Sequence, residues 1–378
     1  MLFEPCEFPP RNAFLDSLSN NGLAILNNLD IASRRILLYK DRNIYVNMGV
    51  GQFYTVKHDY ILDGFEKPKG PIIEPFAGQG DLIDWLGRCD VESYDIEPKR
   101  NDIIERDTLI NPPSYGNKWV ITNPPYLARN KCDSKQIFDM YKTNDLYKCF
   151  IMSVVNQNEK CLGGIFIIPV GFFLSPREMD VHCRHCFLSK YKITRVKYFE
   201  EVVFPDTTTT VVAFSFVKSD KLLSEQNIPW ERYPNGDKKI FKLESKHKWI
   251  IGGEIYDLKI PKTIKIKRVV KDHENNNMTY LTLSALDTTK KISLEYTPGH
   301  VYEGINTSRT YATLCISGIE LDEEKEKRIA QEFNNYLNKK REETWSLFLP
   351  QFREYDRRRI PFSLAYSIVG DLINKIFM

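Results

Sequence analysis

The sequence predicts an α/β fold: a seven-stranded, mainly parallel sheet with helices on both faces, followed by a smaller C-terminal mixed α+β domain. Three observations carry this expectation. Between residues 71 and 217, short apolar runs alternate with helical stretches, the pattern of βαβ units. A glycine-punctuated turn, Ala77-Gly78-Gln79-Gly80, directly follows the first apolar run. After Lys218-Ser219-Asp220-Lys221 the alternation gives way to turns, short β segments and two late amphipathic helices. A chain of 378 residues exceeds most single cores, so domains are expected at 1–220 and 221–378.

Each element follows from local pattern. Residues 12–39 carry apolar side chains at spacings of three and four, so 1–46 is expected to be a helical extension. Gly49-Val50-Gly51-Gln52-Phe53-Tyr54-Thr55 is a loop leading into a helix that starts over 58–65. Strands are expected at 71–76, 91–95, 103–104, 119–122, 164–169, 193–199 and 208–217, the last rich in β-branched residues. Helices are expected at 81–88, 145–156 and 175–190. The last two strands have no helix between them and pair most simply as an antiparallel hairpin at one edge. In the second domain, residues 263–270 alternate apolar and basic side chains, giving one face to bury and one cationic. Residues 322–344 form a charged helix with Ile329, Phe333, Tyr336 and Leu337 on one side. Residues 363–377 close the chain with a stripe of Leu364, Ile368, Leu372 and Ile376.

Composition narrows the function classes. Hydrophobic residues make up 42% of the chain, enough for packed cores. No apolar run approaches the roughly 20 residues that span a bilayer, and Met1-Leu2-Phe3-Glu4-Pro5 has neither region of a signal peptide. An intracellular, soluble protein is expected. From Lys221 onward there are 27 Lys+Arg against 22 Asp+Glu, whereas the first 220 residues hold 26 against 28. That asymmetry suits a small-molecule domain joined to a polyanion-binding one. Eight scattered cysteines are no disulfide framework. His182, His185 and Cys186 would share a helix face, but no second CxxC or HxxxH completes a four-ligand set, so no metal is expected.

The chemistry concentrates at strand ends. Asn123-Pro124-Pro125-Tyr126 follows a buried-strand run, at the carboxyl end where open α/β sheets bind ligands. Proline lacks an N–H and forces the preceding residue out of helical geometry, so the carbonyls of this turn face outward. Asn123 and the Pro124 carbonyl can accept two N–H bonds from a planar NH₂, and Tyr126 offers a face to stack on. Upstream, Glu74-Pro75-Phe76-Ala77-Gly78-Gln79-Gly80 lets backbone approach a ligand closely, without the GxGxxG or GKS/GKT patterns of phosphate sites. Asp95, at the end of the next strand, fits a ribose diol, and Asp107, after the third, fits an adenine amino group. In this order they describe a site for an adenosine without a phosphate tail.

These motifs resemble the S-adenosylmethionine-dependent DNA adenine-N6 methyltransferases of type II restriction-modification systems, in the gamma order. The Gly51-Gln52-Phe53-Tyr54-Thr55 loop comes first, then the glycine turn, then Asn-Pro-Pro-Tyr, and the extra domain last. The resemblance spans about residues 47–218. It implies S-adenosyl-L-methionine as cofactor, with Thr55 at its methionine carboxylate, Glu74 near its amino group, Asp95 at the ribose and Asp107 at the adenine. Tyr54, Phe76, Gly78, Gly80, Ile96, Thr108 and Asn123 would complete that pocket. It also implies a flipped-out adenine held by Asn123, Pro124, Pro125 and Tyr126, stacked on Phe204 and lined by Phe150. Residues 221–378 would recognise the target. Double-stranded DNA is the implied partner, so the protein would need access to DNA. The resemblance further implies a monomer and a separate restriction endonuclease acting on the same site without a stable complex. RNA adenine and protein-glutamine N-methyltransferases share the Asn-Pro-Pro-Tyr chemistry and stay open as alternatives. No Pro-Asp…Glu-x-Lys set marks a fused nuclease.

Overall fold

The computed structural model describes residues 53–204, 207, 209–351 and 357–378. The expected helix over 12–39 and the start of the glycine loop at 49–52 lie outside the described residues.

The first sheet is built from β1 (Ile72–Glu74), β2 (Val91–Asp95), β3 (Ile104–Glu105), β4 (Trp119–Thr122), β5 (Gly163–Pro169), β6 (Tyr191–Phe199), β7 (Val211–Lys218), β8 (Glu225–Tyr233) and β9 (Asp237–Glu244). Their order is β3-β2-β1-β4-β5-β7-β6-β8-β9. β1 pairs in parallel with β2 and β4, and β4 with β5, whereas β7 runs antiparallel to both β5 and β6. The helices that intervene are α1 (His58–Ile61), α2 (Asp81–Leu86), α3 (Gln136–Tyr141), α4 (Leu146–Val155), α5 (Gly171–Leu174) and α6 (Glu178–Leu188).

Two expectations are corrected here. The sheet is mixed and nine-stranded, not seven-stranded and mainly parallel. The expected edge hairpin is internal, because β8 adds in parallel to β6 and β9 adds antiparallel to β8. The reason is burial. The last four residues of β6 are all buried, which an open edge would not allow. β8 then alternates buried Gln226, Ile228 and Trp230 with exposed neighbours, so it covers one face and shows the other. The boundary expected at 220 therefore falls ahead of two strands that belong to the first sheet.

The second sheet comprises β10 (Lys265–Arg268), β11 (Met278–Ser284), β12 (Ser293–Tyr296) and β13 (Tyr311–Ser317), in the order β10-β13-β11-β12 and wholly antiparallel. Its apolar residues Leu281, Leu283, Leu294, Leu314 and Ile316 share a core with α7 (Glu323–Thr344) and α8 (Phe362–Phe377) through Ile329, Phe333, Leu337, Leu364 and Ile368. Asp322 caps α7 by accepting from the Lys325 N–H at 2.9 Å, and Glu323, Glu324 and Glu326 favour the positive end of its dipole. No helix among the described residues is long and apolar enough to cross a membrane.

Candidate active site

The carboxyl ends of β2, β1 and β4 lie side by side. Glu74 is the last residue of β1, Asp95 the last of β2, and Asn123 follows β4 directly. One carboxylate links two of these ends. Glu74 Oε1 accepts from the Phe76 N–H at 3.1 Å and from the Thr122 hydroxyl at 2.5 Å. Glu74 is 1% exposed, and its Oε2 meets no partner among the described residues. Burial pushes its carboxyl up to about 8, against the opposing hydrogen bonds from Thr122 and Phe76, and the charge of Asp95 adds to the rise.

The glycine turn is fixed from three sides. The Gly78 N–H donates to Asp95 Oδ2 at 2.8 Å, the Thr108 hydroxyl to the Pro75 carbonyl at 3.0 Å, and the Ala77 N–H to the Tyr94 carbonyl at 2.8 Å. Gly78 and Gly80 both have left-handed backbone, with φ of 53° and 92°. A Cβ on Gly80 would lie 2.4 Å from the Arg100 guanidinium, and one on Gly78 would lie 3.2 Å from the Tyr54 ring. Tyr54 thus covers the turn. Asp95 also accepts from the Glu97 N–H at 2.8 Å, and burial raises its pKa. Asp107 Oδ1 accepts from the Leu109 and Ile110 N–H groups at 3.0 and 3.1 Å, capping the turn after β3.

Asn123 ties the turn after β4 to the segment ahead of α1. Its amide nitrogen donates to the Phe53 carbonyl at 2.7 Å and to the Thr55 hydroxyl at 3.1 Å. Its Oδ1 and the Ile167 carbonyl of β5, 2.8 Å from the Tyr126 hydroxyl, share the single hydrogen of that hydroxyl. The ring of Phe53 lies 5.2 Å from Tyr126 and 6.2 Å from Phe204, so three aromatic rings gather beside Asn123. In residues 53–55 the odd positions meet Asn123 and its neighbours while Tyr54 turns to Gly78, the alternation of an extended segment.

Of the residues singled out from sequence, Thr55, Asn123 and Tyr126 converge directly, Glu74 joins them through the hydroxyl of Thr122, and Tyr54, Gly78 and Asp95 meet at the neighbouring glycine turn. Phe150 does not join the aromatic group at Asn123. It is fully buried in α4, edge-on to Phe76 at 5.2 Å, Tyr115 at 6.1 Å and Phe166 at 5.0 Å. The ring of that helix that meets Tyr126 is Tyr147, at 6.1 Å. Sequence reasoning also passed over Phe53, Thr122 and Asp145. Asp145 accepts from the Leu127 N–H at 3.1 Å and so holds the exit of the Asn-Pro-Pro-Tyr turn, and shielding from water lifts its carboxyl to about 6. An aromatic two positions before Thr55 was the available signal for Phe53. His185, from the cluster on α6, accepts from Trp249 Nε1–H at 3.1 Å, and Cys186 lies 3.6 Å from His182.

The donor set fits S-adenosyl-L-methionine. A buried carboxyl oxygen that meets no partner among the described residues can take a cation such as an ammonium.

The strand order of the first seven strands, with reversed β7 between β5 and β6, makes this a methyltransferase-like α/β fold with a large mixed sheet. Residues 92–204 match the model of the Eco57I restriction-modification methylase family. Among curated protein sequences none matches the chain. Solved structures match parts of the chain at low identity. One is from work on complex assembly and conformational transition of a type I restriction-modification system, at 15% identity, covering 54% of this chain and 49% of that one, with a TM-score of 0.39. Another is the methyltransferase subunit of a type I system from Streptococcus thermophilus, at 14% identity, 48% of each chain and a TM-score of 0.35. A third is a DrdV–DNA complex, at 15% identity, 73% of this chain and 40% of that one, with a TM-score of 0.37. The matches span about half or less of the length of these chains.

Proposed function

We propose that this chain is an S-adenosylmethionine-dependent methyltransferase acting on the N6 amino group of adenine in duplex DNA, as the modification activity of a restriction-modification system. The observation that carries the reading is the Asn123 amide held at a strand end, beside three aromatic rings and one strand away from the buried Glu74 carboxylate.

S-adenosyl-L-methionine, bound against the glycine turn, supplies an electrophilic methyl. Glu74 would hold its ammonium, Asp95 its ribose, and Asp107 its adenine. Asn123 cannot titrate near neutrality, so it acts by position. Its Oδ1 keeps a second lone pair beyond the Tyr126 bond. That lone pair and the Pro124 carbonyl accept the two amino hydrogens, which draws the nitrogen lone pair out of ring conjugation and aims it at the methyl. With the cofactor bound, its sulfonium would supply the methyl for a displacement at that nitrogen, and Asn123 and Pro124 would contribute orientation and fixed dipoles. The methylated nitrogen, then cationic and strongly acidic, would give up its proton to water. Adenine inside a duplex cannot reach this turn, so it must leave the stack, at a cost of a few kcal/mol. Stacking at Tyr126 and Phe204 offsets this, at about 1–3 kcal/mol per base.

The test is transfer of labelled methyl to plasmid DNA, followed by sequencing of modified adenines. Label on a single adenine of a short repeated site supports the reading. Label reaching only RNA, or only glutamine side chains of protein, replaces it with one of the alternatives named above.

A further inference from the structure

The segment that brings Phe53 and Thr55 to Asn123 is held at its far end by a single strand. Beyond Thr55 the chain turns through α1, and Ile61 and Leu62 bury that stretch in the first core. The backbone carbonyls here divide into two sets. Those of Lys57 and His58 accept from the Ile61 and Leu62 N–H groups at 3.0 and 2.8 Å, as a helical turn requires. Those of Tyr60, Asp63 and Gly64 accept from side chains of β6. Lys197 Nζ donates to the first two at 2.9 and 3.2 Å, and Arg195 Nη1 donates to the third. Orphan carbonyls at a helix exit carry partial negative charge, and cationic donors suit them.

Arg195 and Lys197 lie two positions apart on β6, so both leave the same face of the strand. Each is fixed in turn. Arg195 pairs with Glu231 of β8 at 2.7 Å, and its guanidinium lies 5.3 Å from the Phe65 ring centre. The Lys197 ammonium lies 4.2 Å from the Tyr233 ring centre and 5.6 Å from that of Phe199. The Tyr60 ring packs on Phe199 and Tyr233 at 5.9 and 5.8 Å, and its hydroxyl donates to Glu201. Packing alone does not require these cations. Lys197 is fully buried, taking an ammonium out of water is costly, and an apolar side chain of similar volume often packs as well. What the ammonium adds is a hold on two carbonyls of the segment that carries Thr55.

We propose that Arg195 and Lys197 are positioning residues for the methyl donor: they clasp the exit of α1 and so keep Phe53, Tyr54 and Thr55 in register with Asn123 and the glycine turn. The assignment of Tyr54 and Thr55 to the cofactor rests on the proposed function; the clasp on α1 does not. Both cations act through the backbone of the segment rather than on the cofactor itself. Only residues 56–59 separate Thr55 from Tyr60, so a slip of α1 against β6 carries Thr55 with it. The other end of the segment is tied by the Asn123 amide, at the Phe53 carbonyl and the Thr55 hydroxyl. A binding segment held at both ends spares its ligand the cost of ordering it.

The test uses the full chain carrying Lys197→Met or Arg195→Gln, with Arg184→Met as the control. Arg184 is equally buried and also gives its donors to carbonyls, those of Phe172, Ser175 and Lys248, all outside residues 53–65. Calorimetry follows S-adenosyl-L-methionine, scanning fluorimetry follows melting, and hydrogen exchange follows the opening of residues 53–65. Lys197→Met should weaken cofactor affinity by about 10- to 100-fold, the scale of losing a supporting group behind a site, with no fall in melting temperature. Exchange over 53–65 should rise, and KM for the cofactor should rise while KM for duplex DNA keeps the parent value. Arg195→Gln, at a partly exposed position, should show the same pattern, and decides the matter if the buried variant does not fold. Arg195→Lys, which keeps a donor for the Gly64 carbonyl, should recover affinity. Cofactor affinity equal to the parent's in the clasp variants overturns the proposal and leaves the proposed function standing. An equal loss in Arg184→Met also overturns it, because the effect is then a general loosening. A parent chain that binds no S-adenosyl-L-methionine removes the proposed function, and the role of the clasp in cofactor binding falls with it.

Discussion

Glu74 is a carboxyl whose charge depends on its burial at the strand end. Its folded pKa of about 8 stands above the ordinary 4.5, so the ligand-free fold holds this proton after an unfolded chain has lost it. The sign follows from linkage: stability from this group is full below 4.5 and falls as pH rises from 4.5 towards 8. The slope is at most about 1.4 kcal/mol per pH unit. Glu74→Gln should flatten the dependence of melting temperature on pH across that window, as scanning fluorimetry would register. A cation bound at Oε2 favours the ionised form. Cofactor affinity should therefore rise with pH up to about 8 with release of a proton, seen as a buffer-dependent enthalpy in calorimetry and missing in the glutamine variant. Asn123 carries a second prediction. Asn123→Ala should lower transfer by about 10²–10³-fold or more, the scale of losing a placed oxyanion-type dipole. Because its amide also ties down Phe53 and Thr55, cofactor affinity should weaken with it, which separates this structure from a picture in which Asn123 touches only the target. Unchanged affinity in calorimetry would sink that coupling. The Asn-Pro-Pro-Tyr turn and the glycines were legible in the sequence because their chemistry is local. Thr122, Phe53 and Asp145 were not, since their roles arise from contacts with residues far along the chain. Phe150 packs edge-on against Phe76, Tyr115 and Phe166, and an aromatic on a helix that faces its own core looks, in sequence, like one that faces a pocket.

At the scale of elements, strand contacts explain why the site is rigid. Gly163 and Gly164 open β5 against β4, and a Cβ on Gly164 would lie 1.8 Å from the Val120 carbonyl oxygen. Nothing can give there, because the clash is with backbone of the strand that delivers Asn123. Gly164→Ala should force β4 and β5 apart and cost well over the ~1 kcal/mol of an ordinary helix or strand substitution. Gly87→Ala, at a helix end with nothing within 4 Å of the added carbon, should cost about 1 kcal/mol from its positive φ alone. Comparing the melting temperatures of the two variants tests the claim, and equal losses would count against it. The strands themselves were readable from their apolar runs. Two features of β6 were not. Lys197 is fully buried, with its ammonium donating to the carbonyls of Tyr60 at 2.9 Å and Asp63 at 3.2 Å and lying 4.2 Å from the Tyr233 ring centre. Burial lowers its pKa to about 8. A lysine in a strand reads as a solvent-facing residue, and only the contact with the α1 segment and β8 shows it as the joint between them.

For the whole molecule, the two cores interlock more than a change in composition suggests. Charged residues at 218–221 looked like a domain boundary, yet β8 and β9 beyond them complete the first sheet. Trp345 and Leu347, from the far end of α7, are buried in the first core, and Trp345 packs edge-on against Phe241 at 5.1 Å and under Arg232 at 5.0 Å. Tyr198 of β6 accepts at its hydroxyl from buried Arg358 at 2.5 Å. A chain ending at 220 would lose Trp230 and Tyr233, bare the edge of β6, and leave Lys197 without the ring over it. Exposed edges of this kind pair with other chains. Such a truncation should therefore give aggregated or non-cooperatively melting protein, and loss of DNA binding in it would say nothing about target recognition. Recognition is better separated by exposed substitutions in the second sheet, at Lys265 and Lys267 on edge strand β10, which leave both cores intact. If residues 1–220 instead melt cooperatively and bind S-adenosyl-L-methionine with the affinity of the full chain, the interlocked arrangement is wrong and the boundary belongs where the composition changes.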